Sequence, residues 1–137
     1  MPTSHLRVLV VDDNQDAAFS MSILLEHLGH TVRIAHDGES AVEMAASYQP
    51  EVVLLDIGLP KMTGYDVARA IRQTPWGQNV VLIAVTGWGQ DEDKQKAKLA
   101  GFNRHMVKPV DPELLMQLLH EFSIDLATRA AKGVGSQ

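Results

Sequence analysis

Val52-Val53-Leu54-Leu55-Asp56 (residues 52–56, VVLLD) sets four consecutive apolar residues directly before a carboxylate. A short apolar run without alternation reads as a strand buried on both faces, as in a parallel sheet. The same grammar recurs on either side of it. Leu6 to Val11 (LRVLVV) runs into Asp12, Asp13 and Asn14; Val80 to Val85 ends at Thr86; Phe102 to Val107 ends at Lys108 and Pro109. Thr31 to Ala35 (TVRIA) alternates like an outer strand.

Helical spacing fills the intervals. Asn14 or Asp13 caps a first helix with Ala17, Met21, Leu24, Leu25 and Leu28 inward, and Gly29 terminates it. Asp37 and Gly38 lead into a second, with Ala41, Val42, Ala45 and Ala46 inward, ending before Pro50. Tyr65, Val67, Ala68 and Ile71 mark a third, closed by Pro75, Trp76 and Gly77. Asp91 to Leu99 is a charged, exposed fourth bounded by Gly101, and Asp111 caps a fifth carrying Leu114, Leu115, Leu118, Leu119 and Phe122. Five strands alternating with five helices predict a doubly wound α/β fold, (βα)5, whose parallel sheet is covered on both faces.

The 137 residues suit one domain with one core, and 45% hydrophobic with 21% charged residues is ordinary for a globular protein. A net charge of −5 without any basic run argues against a nucleic-acid surface. With no cysteine, disulfides, thiolate zinc sites and cysteine nucleophiles are excluded. Met1 to Arg7 lacks the apolar stretch of a signal peptide, and no run approaches the roughly 18 residues of a membrane span. A cytoplasmic domain over residues 1–127 is expected, with the small, polar residues 128–137 as a flexible tail or linker stub.

The notable polar residues all stand at strand carboxyl ends, where open parallel sheets bind ligands. They are Asp12, Asp13, Asp56, Thr86 and Lys108. In the flavodoxin-like strand order 2-1-3-4-5, the first and third strands are neighbours and the three carboxylates converge, flanked by Thr86 and Lys108. Crowded carboxylates repel unless a cation is present. Oxygen ligands with room for water and a phosphoryl oxygen describe Mg²⁺ better than zinc. An Asp carboxylate can act as a nucleophile toward phosphorus. Mg²⁺ and the Lys108 ammonium would supply the charge neutralisation that phosphoryl transfer needs, and the Thr86 hydroxyl can donate to a phosphoryl oxygen.

The segments VLVVDDN, VVLLDIGLPKMTGYDVAR, LIAVTGWG and AGFNRHMVKPVD, in that order and each at the same end of its strand, resemble the four signature blocks of response-regulator receiver domains. The resemblance spans about Leu6 to Phe122. It implies Asp12 and Asp13 as the acidic pair serving Mg²⁺, Asp56 as phosphoacceptor, the Gly58 backbone carbonyl as a further metal ligand, Thr86 as switch hydroxyl and Lys108 as phosphoryl contact. It also implies a cis Lys108-Pro109 bond. The implied function is a signalling domain, not an enzyme, accepting a phosphoryl group from a phosphohistidine on a sensor histidine kinase or phosphotransfer domain. Phosphorylation would then shift the face formed by helix 4, strand 5 and helix 5. DIGLPKMTGYDVAR and AGFNRHMVKPVD look most like receivers attached to hybrid sensor kinases, and a monomer or weak dimer is expected.

Two residues depart from that pattern. His105 stands three before Lys108, where the family most often carries Tyr or Phe as a rotating switch side chain. An imidazole there would tie activation to pH near its unperturbed pKa of about 6.5. Trp88 lies between Gly87 and Gly89 and reads as a lid, a docking residue or a packing residue of the fourth helix. None of the six histidines shows ligand spacing. Three rivals are weaker. A haloacid-dehalogenase-like phosphohydrolase would carry a second Asp two residues after the nucleophile, where Gly58 stands. A nucleotide binder would need a third glycine at Glu92. A pseudo-receiver acting only as an interaction module would not need the intact acidic pair, acceptor and lysine.

Overall fold

The computed structural model describes residues 5–87 and 91–135, with the side chains of 91–93 and 125–135 left aside. Five strands, β1 (Arg7–Val11), β2 (Thr31–Ala35), β3 (Val52–Asp56), β4 (Val81–Thr86) and β5 (Arg104–Val107), alternate with α1 (Gln15–His27), α2 (Gly38–Tyr48), α3 (Gly64–Arg72), α4 (Asp91–Ala100) and α5 (Pro112–Gly135). The strands form one parallel sheet in the expected order 2-1-3-4-5.

Successive strand residues point to opposite faces, so parity decides which helix layer each one meets. Leu9, Val11, Val53, Leu55, Leu82 and Ala84 join the core against α2, α3 and α4. Val8, Val10, Val52, Leu54, Val81, Ile83 and Met106 join the core against α1 and α5. Carried to the strand ends and just beyond, that parity puts Asp12, Asp56 and Lys108 on the α1/α5 side. Thr86 and His105 fall on the α4 side. The fold thus separates two halves of the site.

Polar side chains start the helices. Asn14 Oδ1 accepts from the Ala17 N–H at 3.0 Å, Asp37 Oδ1 from the Ser40 N–H at 2.8 Å, and Asp111 Oδ1 from the Glu113 N–H at 3.0 Å. Thr63 and Asp66 form a reciprocal capping box on α3. Such a cap contributes about 1 kcal/mol. Gly29 terminates α1 at φ 97° and Gly101 follows α4 at φ 106°, conformations that favour a residue without Cβ.

Three expectations are corrected. Ala17 and Ala46 are exposed; Ala18 takes the inward place on α1, and Ala45 is buried as expected. Leu114 is also exposed, and Leu115, Leu119 and Phe122 anchor α5. β5 begins at Arg104 instead of Phe102, because Asn103 turns back to β4: its N–H donates to the Leu82 carbonyl at 2.8 Å and its Oδ1 accepts from the Leu82 N–H at 2.8 Å. The helical backbone of α5 runs on to Gly135. Among the described residues no helix is long and apolar enough to cross a membrane.

At the end of the sheet away from the carboxylates, His30 is buried, and its Nδ1 accepts from the Leu6 N–H at 3.1 Å. Burial, and secondarily His5, push the imidazole below its ordinary 6.5, against an opposing pull from Glu51. The folded state therefore prefers neutral His30, and the unfolded chain binds more protons below 6.5. The stability it contributes is whole above that value and is lost as pH falls through the lower folded one. Urea midpoints should decline on acidification below pH 6.5. His30→Asn, which keeps an acceptor for Leu6, should flatten that decline.

Candidate functional site

Asp56 ends β3 and is 8% exposed; Asp12, one residue past β1, is 9% exposed; Asp13 beside it is exposed. Direct pairing of β1 with β3, with Val11 opposite Leu55, brings the three carboxylates together. One oxygen from each lies within 4.8 Å of the others, the only such cluster among the described residues. Their local geometry is fixed by backbone donors. Asp56 Oδ1 accepts from the Gly58 N–H and Asp12 Oδ1 from the Asn14 N–H, each at 2.9 Å. Each bond holds one oxygen and leaves the second for the crevice.

Lys108 enters from the loop after β5. Its Nζ lies 3.1 Å from Asp56 Oδ2 and 3.6 Å from Asp12 Oδ2, with the side chain 39% exposed. The Lys108 N–H donates to the Thr86 carbonyl at 2.7 Å, and the Lys108-Pro109 bond is cis, as the resemblance implied. Burial pulls the ammonium down, but the hydrogen bond and charge of Asp56, with Asp12 behind it, outweigh that and hold it above its ordinary 10.5. Asp12 is pushed up from 3.8, chiefly by burial; the Asn14 N–H and Lys108 oppose the rise, and Asp56 and Asp13 add to it. One ammonium does not balance three carboxylates. The residues present therefore fit a hard divalent cation by charge and by donor type.

Thr86 is 6% exposed, and its Oγ1 lies 3.2 Å from His105 Nε2. The two side chains share the α4 side of the sheet, with Ala84 opposite His105 and Thr86 opposite Val107. Thr86 thus meets His105, the residue standing where the family most often carries Tyr or Phe. Trp88 lies outside the described residues.

The loop after Asp56 closes tightly over it. Ile57 N–H donates to the Val85 carbonyl and Gly64 N–H to the Ile57 carbonyl, both at 3.1 Å. A Cβ on Gly64 would stand 2.6 Å from the Asp56 carbonyl oxygen and 2.7 Å from Ile57 Cα. Gly64→Ala should therefore cost about 2 to 3 kcal/mol, the upper range for overpacking, read as a drop in urea midpoint.

Two features escaped the sequence reading. His36, on the residue after β2, donates from Nδ1 to the Asp12 carbonyl at 3.0 Å; its position at a strand carboxyl end was the available signal. A groove of about 680 Å³ also runs from Asp56 and Lys108 along Ala17, Ser20, Met21 and Leu24 of α1 to Pro109 and Val110. No local pattern announces a groove between segments so far apart in the chain.

Residues 8–120 match the family described as response regulator receiver domain. PilH of Pseudomonas aeruginosa is 32% identical over 114 residues, 83% of this chain and 94% of that protein. The structure is similar to chemotaxis protein CheY4 of Vibrio cholerae, with TM-score 0.82 and 30% identity over 86% of this chain and 98% of that one. It is also similar to the receiver domain of the Pseudomonas aeruginosa sensor histidine kinase PA1611, solved with a magnesium ion in its active-site cleft, with TM-score 0.80 and 29% identity over 87% and 98%. With the flavodoxin-like sheet order and the clustered acids in place, the chain belongs to the response regulator receiver domain family, a family of signalling domains and not enzymes.

Proposed function

We propose that this receiver domain accepts a phosphoryl group onto Asp56 from a phosphohistidine of a sensor histidine kinase or phosphotransfer domain, with Mg²⁺ as cofactor. The observation that carries the proposal is the meeting of three carboxylates within 4.8 Å, with the Lys108 ammonium 3.1 Å from Asp56. Asp12, Asp13, Asp56 and the Gly58 carbonyl would hold the metal, which when bound neutralises charge on the phosphoryl oxygens.

In the transfer, an Asp56 carboxylate oxygen attacks phosphorus. A P–O bond forms, the P–N bond to the donor histidine breaks, and its electron pair stays on the leaving imidazole nitrogen. The Gly58 N–H orients Asp56 by holding Oδ1. Lys108 exchanges its contact with the free carboxylate for one with the arriving phosphoryl oxygens. The apolar groove beside α1 supports approach of a partner protein at this side. On the other side, Thr86 turns its hydroxyl toward the phosphoryl group and changes its contact with His105, so Thr86 and His105 act as the switch that alters the α4/β5/α5 face. We assign the phosphoacceptor unit to residues 1–127, with 128–137 as a connecting extension, and place it in the cytoplasm with its donor.

Incubation with Mg²⁺ and acetyl phosphate, read by intact mass, tests the proposal. One phosphoryl adduct is expected on the wild-type chain and none on Asp56→Asn. No adduct on wild type would favour a phosphorylation-independent interaction module, and an undiminished adduct on Asp56→Asn would move the acceptor elsewhere.

A further inference from the structure

We propose that His36 is a positioning residue of the acidic site, holding through the Asp12 carbonyl the peptide that joins Asp12 to Asp13. The inference rests on the Mg²⁺ reading above and names a residue outside the acceptor, acidic pair, switch and lysine.

Asp12 is tethered at each of its polar atoms. Its N–H donates to the Ala35 carbonyl at 3.1 Å, its Oδ1 accepts from the Asn14 N–H at 2.9 Å, and its Oδ2 faces Lys108 Nζ at 3.6 Å. The remaining atom, the carbonyl oxygen, is taken by His36 Nδ1 at 3.0 Å. A carbonyl accepts, so Nδ1 carries the proton. The peptide is planar, so fixing its oxygen also fixes the direction in which the chain leaves toward Asp13. Asp13 itself is exposed, and the route by which it is aimed therefore runs through this peptide.

His36 is built to do this. Pairing of β1 with β2 sets Val11 opposite Ala35, so residues 12 and 36 emerge side by side at the carboxyl edge of the sheet. The next residue, Asp37, caps α2 through the Ser40 N–H, so the His36 backbone is pinned between a strand end and a helix cap. Those two anchors fix the backbone from which the exposed His36 ring reaches the Asp12 carbonyl. Groups that orient metal ligands from behind commonly matter tenfold or more to metal affinity.

Mg²⁺ titration of the full chain by calorimetry, with His36→Ala and His36→Asn, tests the inference. The Asn side-chain N–H sits the same number of bonds from the backbone as Nδ1. His36→Ala should raise the Mg²⁺ Kd about tenfold, and His36→Asn should recover most of that loss. The rate of phosphoryl uptake at saturating Mg²⁺ should be unchanged in both, with only the Mg²⁺ concentration for half-maximal rate displaced. A wild-type Kd in His36→Ala overturns the inference. So does a rise in Kd that His36→Asn shares in full alongside a lowered metal-free urea midpoint, since that pattern marks a packing role. Failure of the wild-type chain to bind Mg²⁺ would instead overturn the metal site on which the inference rests.

Discussion

Lys108→Ala is expected to slow phosphoryl uptake from acetyl phosphate by about a hundredfold or more at saturating Mg²⁺, the scale set by removing one preorganised donor from a site of developing charge. The ammonium already lies 3.1 Å from Asp56 Oδ2 and is held in its charged form by Asp56 and Asp12. It therefore needs no reorganisation when negative charge spreads onto the phosphoryl oxygens. Quenched time courses read by intact mass check the rate. Lys108→Arg should recover only part of the loss, because a planar fork cannot occupy the place of a compact ammonium between two carboxylates. A rate in Lys108→Ala within a few-fold of wild type would remove Lys108 from the transfer.

Removing Mg²⁺ with EDTA should suppress uptake by at least a hundredfold as well, because a metal clamp contributes several kcal/mol to the transition state of phosphoryl transfer. Three carboxylates that converge within 4.8 Å repel both each other and an incoming phosphoryl group. Burial is the main cause of the raised Asp12 pKa, and repulsion from Asp56 and Asp13 adds to it. Asp13→Asn should displace the Mg²⁺ dependence to higher concentration while leaving the fold intact, since Asp13 is exposed and stands outside β1. Uptake indifferent to EDTA would contradict the metal assignment.

The fold was legible because parallel strands buried on both faces read as apolar runs, and each run here stops at a polar residue. The positions of Asp12, Asp56 and Lys108 followed from those stops and from one assumption about strand order. What failed to read was detail that depends on distant partners. Ala17 and Ala18 are equally apolar, and only the direction of α1 over the sheet decides that Ala18 is buried. Arg72 donates to the carbonyls of Gly77, Val80 and Gly101 and to Asn103 Oδ1, tying α3 to the loop before β5 across 31 residues of sequence. Nothing local marks that arginine as structural. His36 likewise shows no ligand spacing, and only the pairing of β1 with β2 sets it beside the Asp12 carbonyl. The bond between Thr86 and His105 required β4 and β5 in register, and it puts a polar contact at the position where the family most often carries Tyr or Phe.

The phosphoryl group is proposed to sit on the Asp56 carboxylate as an acyl phosphate. Borohydride reduces an acyl phosphate to an alcohol, which turns a phosphorylated aspartate into homoserine. Peptide mapping of the phosphorylated and reduced chain is predicted to find homoserine at position 56. Homoserine at another aspartate, or a phosphate ester that survives borohydride on a hydroxyl side chain, would contradict it.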